Sequence, residues 1–258
     1  KALQAGTSHF LGQNFAKAFD VQFATSEGKK EYVWGTSWGV STRLVGALIM
    51  THSDDKGLVL PPNLAPIQVV LIPIFNSNKE YEIVVKKLDL IGKNLKNSKI
   101  SYKIDDRKNH KPGWKFSEYE LKGIPIRLVV GPKDIDNNTI EVARRDNLTK
   151  EVINENKLVE TVKNLLDEIQ KNLFSKAKNF RENNSHIVDN YDDFKKIFKN
   201  QNGFVYAHWD GSTETENLIK KQTKATIRCI PLNYGKEKGK CIVTGKPSNG
   251  LVVFGKAY

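Results

Sequence analysis

Sulfur-containing residues are scarce in this chain, which has two cysteines and one methionine among 258 residues. Cys229 and Cys241 are too few for a disulfide framework, which favours a reducing compartment and a cytoplasmic location. The methionine is Met50, so we do not expect Lys1 to be a translation start. We predict that the sequence is the C-terminal part of a longer protein.

Long hydrophobic runs and acidic residues are also few. No apolar run approaches the roughly 20 residues of a membrane helix, and the N-terminus has no signal-peptide or transit-peptide pattern, so we expect a soluble protein without membrane contact. The 29 acidic residues are outnumbered by 41 basic residues, which leaves a formal net charge of +12. That balance favours a polyanionic partner such as a nucleic acid or a nucleotide. With 39% hydrophobic residues, the chain can bury a core and form two or three domains.

The first part of the chain, residues 1 to about 65, begins with a predicted short helix. Thr7 or Ser8 would cap this helix, because apolar residues follow at helical spacing as far as Phe19. The part closes with two consecutive prolines, which cannot continue a helix and stiffen the exit. A domain boundary near residue 65 follows.

Residues 31–40 alternate as a strand with two unlike faces. Large side chains occupy one face, whereas Gly35, Ser37 and Gly39 occupy the other. The small face indicates either close packing against another element or a floor on which a flat ligand lies near the backbone. Both interpretations remain open at this point.

Arg43 occupies the first turn of a predicted apolar helix that is capped by Ser41 or Thr42 and ends near Met50. An arginine there does not stabilise the helix, because the N-terminal end of the helix dipole is already positive. A bound anion, or a base on which the guanidinium stacks, would explain it. The alternative is an arginine that points outward into solvent.

The rest of the chain predicts α/β structure. Residues 66–178 read as strand, helix, strand, helix, strand, strand and helix, at residues 67–74, 80–95, 100–104, 115–122, 124–130, 139–145 and 157–178. Residues 179–258 predict a smaller module, with helices at 191–198 and 213–221, a strand at 204–209 and short strands toward the C-terminus. The expected class is α/β (α+β) with helices flanking the sheets.

Three stretches of the first part form a recognisable set. They are AGTSHFLGQNF at residues 5–15, TSWGVSTR at residues 36–43 and GLVLPP at residues 57–62. They closely resemble the end of the catalytic domain of prolyl-tRNA synthetases, of the eukaryote-like and archaeal type. The stretch around Arg43 is similar to motif 3 of class II synthetases.

The resemblance continues to the end of the chain. PGWKF at residues 112–116, ELKGIPIR at residues 120–127 and GPKD at residues 131–134 are similar to the anticodon-binding domain of that family. CIP at residues 229–231 and FGKAY at residues 254–258 resemble its C-terminal extension. The resemblance therefore implies a remnant of an antiparallel-sheet catalytic domain at 1–65, an α/β anticodon-binding domain with a mixed sheet at 66–178, and a small α/β C-terminal domain at 179–258.

The family resemblance implies that proline is activated by ATP, with Mg²⁺, to prolyl-adenylate and transferred to the 3′ end of tRNA(Pro). Arg43 is carried over as the catalytic residue against ATP. The substrate contacts carried over with it are Gln4, Thr7, His9, Gly35, Ser37 and Trp38. Because motif 1 and the motif 2 arginine would lie before Lys1, we expect this segment alone to be inactive. No protein nucleophile is needed, since the reaction requires positioning and charge neutralisation.

Anticodon reading needs flat side chains for stacking and polar side chains for base edges. Trp114 and Phe116 are candidates for stacking or for ordinary packing of a short helix on the sheet. The candidate edge contacts are Lys115, Glu118, Glu120 and Arg127, and Lys133 or the pair at 144–145 would contact the RNA backbone.

The third part departs from the family in its cysteines. Related domains often hold zinc with four cysteines, but here Cys229 and Cys241 are alone and Thr244 stands where a Cys-x-x-Cys pair would close. Two thiolates do not complete a tetrahedral site, so we expect no structural zinc and no metal site. Family precedent also predicts that Tyr258 docks back toward the catalytic domain.

Two alternatives remain. One is a non-catalytic tRNA-binding module that keeps the anticodon-binding fold. The other is a neighbouring class IIa synthetase for threonine, histidine or glycine, which would leave the Thr-Ser-His stretch at residues 7–9 unexplained. A homodimer is implied by the resemblance alone.

Overall fold

The computed structural model describes residues 1–201, 203–232 and 238–258. The chain divides into two compact units. One unit combines Lys1–Ala47 with Phe180–Tyr258, and the other is Leu48–Asn179.

The N-terminal segment is built from short strands and helices. They are β1 (Gly6–Gly12), α1 (Asn14–Ala18), β2 (Gln22–Ala24), β3 (Lys30–Tyr32), β4 (Gly35–Val40) and α2 (Arg43–His52). β1 pairs with β4 and β2 pairs with β3, both antiparallel. The β1–β4 pair is called the ribbon below.

Two predictions for this segment are wrong. The helix expected to begin at Thr7 or Ser8 begins only at Asn14, because the preceding residues pair with β4 instead of forming a helical turn. The single strand expected at residues 31–40 is broken after Tyr32, since its two halves pair with different partners. The helix predicted after residues 41–42 is confirmed, with the Ser41 Oγ accepting a hydrogen bond from the backbone N–H of Arg43 at 3.3 Å.

The Leu48–Asn179 unit contains a five-stranded mixed sheet. Its elements are β5 (Val69–Pro73), α3 (Asn78–Asn97), β6 (Tyr102–Ile104), α4 (Pro112–Leu121), β7 (Ile126–Val130), α5 (Pro132–Asn137), β8 (Thr139–Arg144), β9 (Lys150–Asn154), a 3-10 turn (Glu155–Lys157) and α6 (Leu158–Asn183), whose last residues belong to the other unit. The strand order is β6-β5-β7-β8-β9, parallel among the first three strands and antiparallel from β7 to β9. The mixed sheet predicted for this region is confirmed.

The two faces of this sheet are covered differently. Val69 and Leu71 of β5 belong to the main core, which includes apolar residues of α3 and α6. Val70 and Ile72, on the other face, belong to a smaller cluster with Tyr119 of α4. Arg127 lies beside Val70 in the β5–β7 register and therefore on the α4 side. The sheet thus presents basic side chains on the face opposite to α3 and α6.

The C-terminal part of the first unit holds a four-stranded sheet. Its elements are β10 (Ser185–Ile187), α7 (Tyr191–Asn200), β11 (Phe204–His208), α8 (Thr213–Thr223), β12 (Ala225–Cys229), β13 (Gly239–Lys240), β14 (Pro247–Ser248) and β15 (Leu251–Lys256). The order is β10-β11-β15-β12, and β13 pairs with β14 as a separate ribbon. Phe194 packs edge to face against Phe198 and Phe254 in a core of its own. This core confirms the predicted small α/β module.

Within the three described ranges, no helix combines the length and apolarity needed to cross a bilayer.

Candidate functional site

The ribbon brings four of the predicted small or polar positions onto one face. Thr7 stands opposite Gly39, and His9 stands opposite Ser37. Directly opposed residues of an antiparallel pair project to the same side, so these positions form one continuous patch. Gly35, opposite Gly12, follows a register shift at the end of the ribbon.

Trp38 lies on the other face of the ribbon from this patch. It stands opposite Ser8, and its side chain is 80% exposed. The structure therefore separates Trp38 from the other candidate substrate contacts.

Arg43 is connected to the same segment by hydrogen bonds. Its Nη1 donates to the side-chain Oε1 of Gln4 at 3.2 Å and to the backbone oxygen of Gln4 at 3.4 Å. The Nε2 of Gln4 in turn donates to the Oγ1 of Thr7 at 2.9 Å. Gln4 and Thr7 thus form one hydrogen-bonded chain with Arg43, which lies 39 positions from Gln4 at the start of α2.

The ribbon is open on the side where Gly39 lies. A Cβ built on Gly39 meets no atom within 4 Å, and among Lys1–Ala47 the only buried residue is Ala16. Phe10 and Trp34 are exposed although they stack on each other with ring centroids 5.7 Å apart. Close packing inside the described residues therefore does not account for the small side chains of β4.

Lys115 is placed inside the fold by a buried charge network. Its side chain is 1% exposed, and its Nζ donates to the backbone oxygen of Asp105 at 2.8 Å and lies 3.6 Å from the Asp105 carboxylate. Burial lowers the pKa of Lys115, and the carboxylate opposes that shift. Burial raises the pKa of Asp105, but hydrogen bonds from Arg107 and the charge of Lys115 outweigh it and lower the pKa to about 2. This lysine anchors the loop before α4.

Glu118 and Trp114 lie on either side of the same network. Glu118 accepts hydrogen bonds from Arg107 and, at 2.5 Å, from Lys122. Trp114 is half exposed and stacks on His110 with ring centroids 3.9 Å apart and an angle of 12° between the planes. The pair forms a flat aromatic surface at the N-terminal end of α4, and His110 was not predicted from the sequence.

Glu120 and Arg127 form a second centre at the other end of α4. The Nη1 of Arg127 donates to the Glu120 Oε1 at 3.2 Å, and the guanidinium carbon lies 3.9 Å from the centroid of the Phe116 ring. Arg127 is 6% exposed, and its Nε is a buried donor that has no hydrogen-bond partner among the residues that the structure describes. The ring of Phe116 therefore lies against the guanidinium of Arg127.

A cavity of about 180 Å³ opens beside this pair. Its charged lining side chains are Lys56, Glu120, Arg127, Arg144, Arg145 and Lys150. Five of these six are basic, so the cavity favours an anionic or acceptor-rich ligand. Sequence reasoning missed both Lys56 and Lys150. Lys150 was missed because the strand that carries it, β9, was not predicted.

Two of the lining arginines form ion pairs with carboxylates. Arg145 donates to Asp54 from Nη1 at 2.8 Å and from Nη2 at 2.6 Å, and its hydrogen bonds lower the pKa of Asp54 to about 2. Arg144 pairs with Asp146 at 2.9 Å and with Glu168 at 3.0 Å. Lys56 and Lys150, in contrast, form no ion pair within the described ranges. Lys133 is exposed near the start of α5 and lies outside the cavity lining.

The two ends of the chain meet beside the Gln4 segment. The backbone N–H of Tyr258 donates to the oxygen of Ala2 at 3.0 Å, and Ala2 donates to the oxygen of Lys256 at 2.8 Å. The Tyr258 side chain is 74% exposed. Docking of the C-terminus thus involves backbone pairing, with the aromatic ring in solvent.

Metal-binding side chains are not grouped in the part of the chain that the structure describes, where no three His, Cys, Asp or Glu residues are placed to hold an ion. Cys229 is exposed and Cys241 is buried, both as free thiols.

Comparison with known proteins adds two family matches. Residues 191–258 match the model of the C-terminal domain of prolyl-tRNA synthetase, and residues 68–165 match that of an anticodon-binding domain. Proteins named proline–tRNA ligase from Christiangramia forsetii and Flavobacterium johnsoniae are 60% identical over 260 aligned residues. One from Porphyromonas gingivalis is 59% identical over 258 residues. The alignments cover 100% of this chain and 52% of each relative, so the chain spans about half their length.

Proposed function

Because the whole chain is similar to one half of proteins named proline–tRNA ligase, we propose that it belongs to the prolyl-tRNA synthetase family and forms the C-terminal half of a proline–tRNA ligase. The proposed enzyme uses ATP to activate L-proline as prolyl-adenylate, with release of pyrophosphate, and transfers the prolyl group to tRNA(Pro). The observation that carries the proposal is the 60% identity over the whole of this chain, together with the hydrogen bonds that connect Arg43, in the stretch that resembles motif 3, to Gln4 and Thr7. A cytoplasmic homodimer is part of the proposal through the family.

In the activation step, a carboxylate oxygen of proline attacks the α-phosphorus of ATP. The bond from that phosphorus to the bridging oxygen breaks, and pyrophosphate leaves. The 3′-terminal ribose hydroxyl of the tRNA then attacks the prolyl carbonyl, and AMP leaves. Mg²⁺ is expected to accompany ATP, where it neutralises phosphate charge.

Arg43 is the proposed catalytic residue of this half. Only Nη1 is occupied by Gln4, so Nη2 and Nε remain able to donate to a phosphate or to lie flat against the adenine. Gln4 fixes the guanidinium and Thr7 fixes Gln4, which sets the geometry before ATP binds. The patch of Thr7, His9, Ser37 and Gly39 is the proposed floor for proline and the adenylate, with Gly35 at its edge.

The open ribbon supports an active site that is completed by other residues. Trp38 and its neighbours expose apolar surface that a folded domain normally covers. The relatives are about twice as long as the chain. We therefore propose that this chain alone does not activate proline, and that Trp38 packs in the complete catalytic domain instead of contacting substrate.

The Glu120–Arg127 centre is the proposed reader of an anticodon base. Guanine presents acceptors at O6 and N7 and donors at N1 and N2, which match an arginine beside a carboxylate. The unpartnered Nε of Arg127 is a buried donor that such a base would satisfy. Lys56, Lys133 and Lys150 are the proposed phosphate contacts.

Three residues of the predicted anticodon set have supporting roles in this proposal. Trp114 with His110 offers a face for base stacking. The Phe116 ring packs against the guanidinium of Arg127, and Glu118 accepts a hydrogen bond from Arg107 in the loop before α4. Lys115 is omitted from the RNA contacts, because its amine is buried against Asp105.

The proposal is tested by aminoacylation with an enzyme that contains this chain. We expect tRNA(Pro) to be charged with proline and not with threonine, histidine or glycine. Charging with one of the other amino acids would move the assignment to a neighbouring synthetase. Binding of tRNA without any charging would favour a non-catalytic module.

A further inference from the structure

A tight turn follows Cys241 in the C-terminal module. The backbone N–H of Cys241 donates to the oxygen of Lys246 at 2.8 Å, and Gly245 donates to the oxygen of Cys241 at 2.9 Å. Gly245 has a φ of +69°, in the left-handed region that glycine adopts without strain. Residues 241–246 are called the cysteine turn below. Its first and fourth positions are Cys241 and Thr244, where a zinc-binding turn would present two thiolates.

The side chains at this turn do not fit zinc. A structural zinc site needs four ligands, each of them a thiolate, imidazole or carboxylate. Cys229 is exposed, Cys241 is buried, and the described ranges contain no trio of His, Cys, Asp and Glu side chains that could share an ion. Thr244 supplies a neutral hydroxyl, which is already a hydrogen-bond donor to a protein group.

Asp210 receives that hydrogen bond and three others. Its Oδ2 accepts from the Thr244 Oγ1 at 2.8 Å and from the Thr215 Oγ1 at 3.0 Å. Its Oδ1 accepts from the Ser212 Oγ at 2.8 Å and from the Ser212 backbone N–H at 3.1 Å. Hydrogen bonds to an ionised carboxylate are shorter and stronger than neutral ones. Asp210 thus connects the start of α8 to the cysteine turn, 34 positions away.

The environment keeps this carboxylate ionised. Burial raises the pKa of Asp210, but the hydrogen bonds from Ser212, Thr244 and Thr215 outweigh it and lower the pKa to about 2. The negative charge is therefore present throughout the physiological pH range.

Neighbouring contacts fix the turn against β11 and the start of β15. Ile242 donates its backbone N–H to the oxygen of His208 at 3.2 Å, and the His208 Nδ1 lies 3.1 Å from the Ser248 Oγ. The Ser248 hydroxyl donates to the oxygen of Gly250 at 2.9 Å. A Cβ on Gly239 would come within 2.2 Å of the His208 ring, so the histidine fills the space beside that glycine. The turn is thus attached from two sides by hydrogen bonds between protein groups.

We propose that the Asp210 carboxylate closes the cysteine turn by accepting the Thr244 hydrogen bond, in place of the zinc ion that the family resemblance implies for this turn. The C-terminal module then folds without a bound metal. Cys241 serves as a buried apolar residue and not as a metal ligand.

Site-resolved thiol labelling tests this inference in an enzyme that contains this chain. The protein is exposed to an alkylating reagent, and modification of Cys229 and Cys241 is read by peptide mass spectrometry. We expect fast labelling of Cys229 and slow labelling of Cys241, with no change when EDTA is added. Metal analysis should find no zinc bound to the C-terminal module. Release of zinc together with faster Cys241 labelling in EDTA would overturn the proposal.

The hydrogen bond itself is tested by two variants of one residue. Thr244→Val removes the donor at similar volume, and we expect Cys241 labelling to accelerate about tenfold or more. Thr244→Ser keeps the hydroxyl and should label at nearly the wild-type rate. Asp210→Asn should resemble Thr244→Val. Unchanged Cys241 protection in Thr244→Val, in a protein with wild-type circular dichroism, would contradict the role of Asp210.

Discussion

Arg43 reaches Gln4 across 39 positions of the sequence, with Nη1 3.2 Å from the Gln4 side-chain oxygen. The two residues belong to different elements, since Gln4 precedes β1 and Arg43 begins α2. Pairing of β1 with β4 brings them together, because α2 starts three residues after β4 ends. The contact leaves Nη2 and Nε of Arg43 for a ligand, which connects the local fold to the proposed chemistry.

Replacing Arg43 by lysine tests that connection. Lysine keeps the charge but cannot donate to Gln4 and a phosphate from one planar group. In an enzyme that contains this chain, Arg43→Lys should reduce the rate of ATP activation about 10²–10³-fold, the usual cost of losing one donor to transition-state charge. Arg181→Lys, at an exposed arginine with 62% side-chain accessibility, is the matched control and should retain full activity. A loss below about twofold in Arg43→Lys would remove Arg43 from the catalytic role.

The Glu120–Arg127 centre should control selectivity for guanine. Glu120→Gln replaces an acceptor by an amide and should weaken binding of a tRNA(Pro) anticodon stem-loop by about 1–3 kcal/mol. The difference in binding free energy between the wild type and Glu120→Gln should be smaller when the contacted guanine is replaced by inosine, because inosine lacks the N2 donors. Glu160→Gln makes the same change on α6, which packs on the opposite sheet face, and should have no effect. Equal affinity of wild type and Glu120→Gln for the guanine loop contradicts base reading by Glu120.

Lys115 and Lys133 should respond oppositely to removal of charge. Lys115→Met leaves the backbone oxygen of Asp105 without its donor in a buried site, and should lower the free energy of unfolding of the Leu48–Asn179 unit by about 1–3 kcal/mol. The folded protein should bind tRNA as the wild type does. Lys133→Met, at an exposed position, should leave stability unchanged and weaken tRNA binding at low salt. Chemical denaturation and filter binding measure the two effects, and weaker RNA binding by folded Lys115→Met would reassign that lysine.

Acid should destabilise the protein over a defined pH window. The pKa of Asp54, Asp105 and Asp210 is about 2 in the folded chain, against an ordinary value of 3.8. Because the folded pKa is the lower one, these carboxylates stabilise the fold above about pH 4, and this contribution is lost as the pH falls through 2. Urea unfolding between pH 6 and pH 2 should show a plateau followed by a steep loss. In Asp105→Asn, the free energy of unfolding should fall less steeply with acid than in the wild type. A fall identical to that of the wild type would exclude Asp105 as a contributor.

The sequence predicts the long periodic elements well. The apolar run at residues 67–74 and the amphipathic pattern at 80–95 correspond to β5 and α3, because burial on one or two faces imposes a clear period. The start of the chain is predicted wrongly, since Thr7 and Ser8 have the composition of a helix cap while their backbone pairs with β4. Local propensity is overridden there by strand pairing between residues about 30 positions apart.

The candidate sites were also only partly predictable from the sequence, because several of their side chains are positioned by contacts between distant segments. The family resemblance selects Arg43 through motif 3 and Gln4 and Thr7 through the N-terminal stretch, and the structure brings the three into contact. The role of Lys115 could not be read from sequence, because its burial depends on Asp105 in the preceding loop. Lys150 was missed since β9 has no strong alternation, and it joins the basic cavity only through its pairing with β8.

The central claim is that this chain forms half of a proline-activating site. The most direct measurement is proline-dependent exchange of pyrophosphate into ATP, performed in parallel with an enzyme that contains this chain and with the 258-residue chain alone. We expect exchange by the longer enzyme and none by the chain alone. Absence of proline-dependent exchange in both, with tRNA still bound, would contradict the account and leave an RNA-binding module.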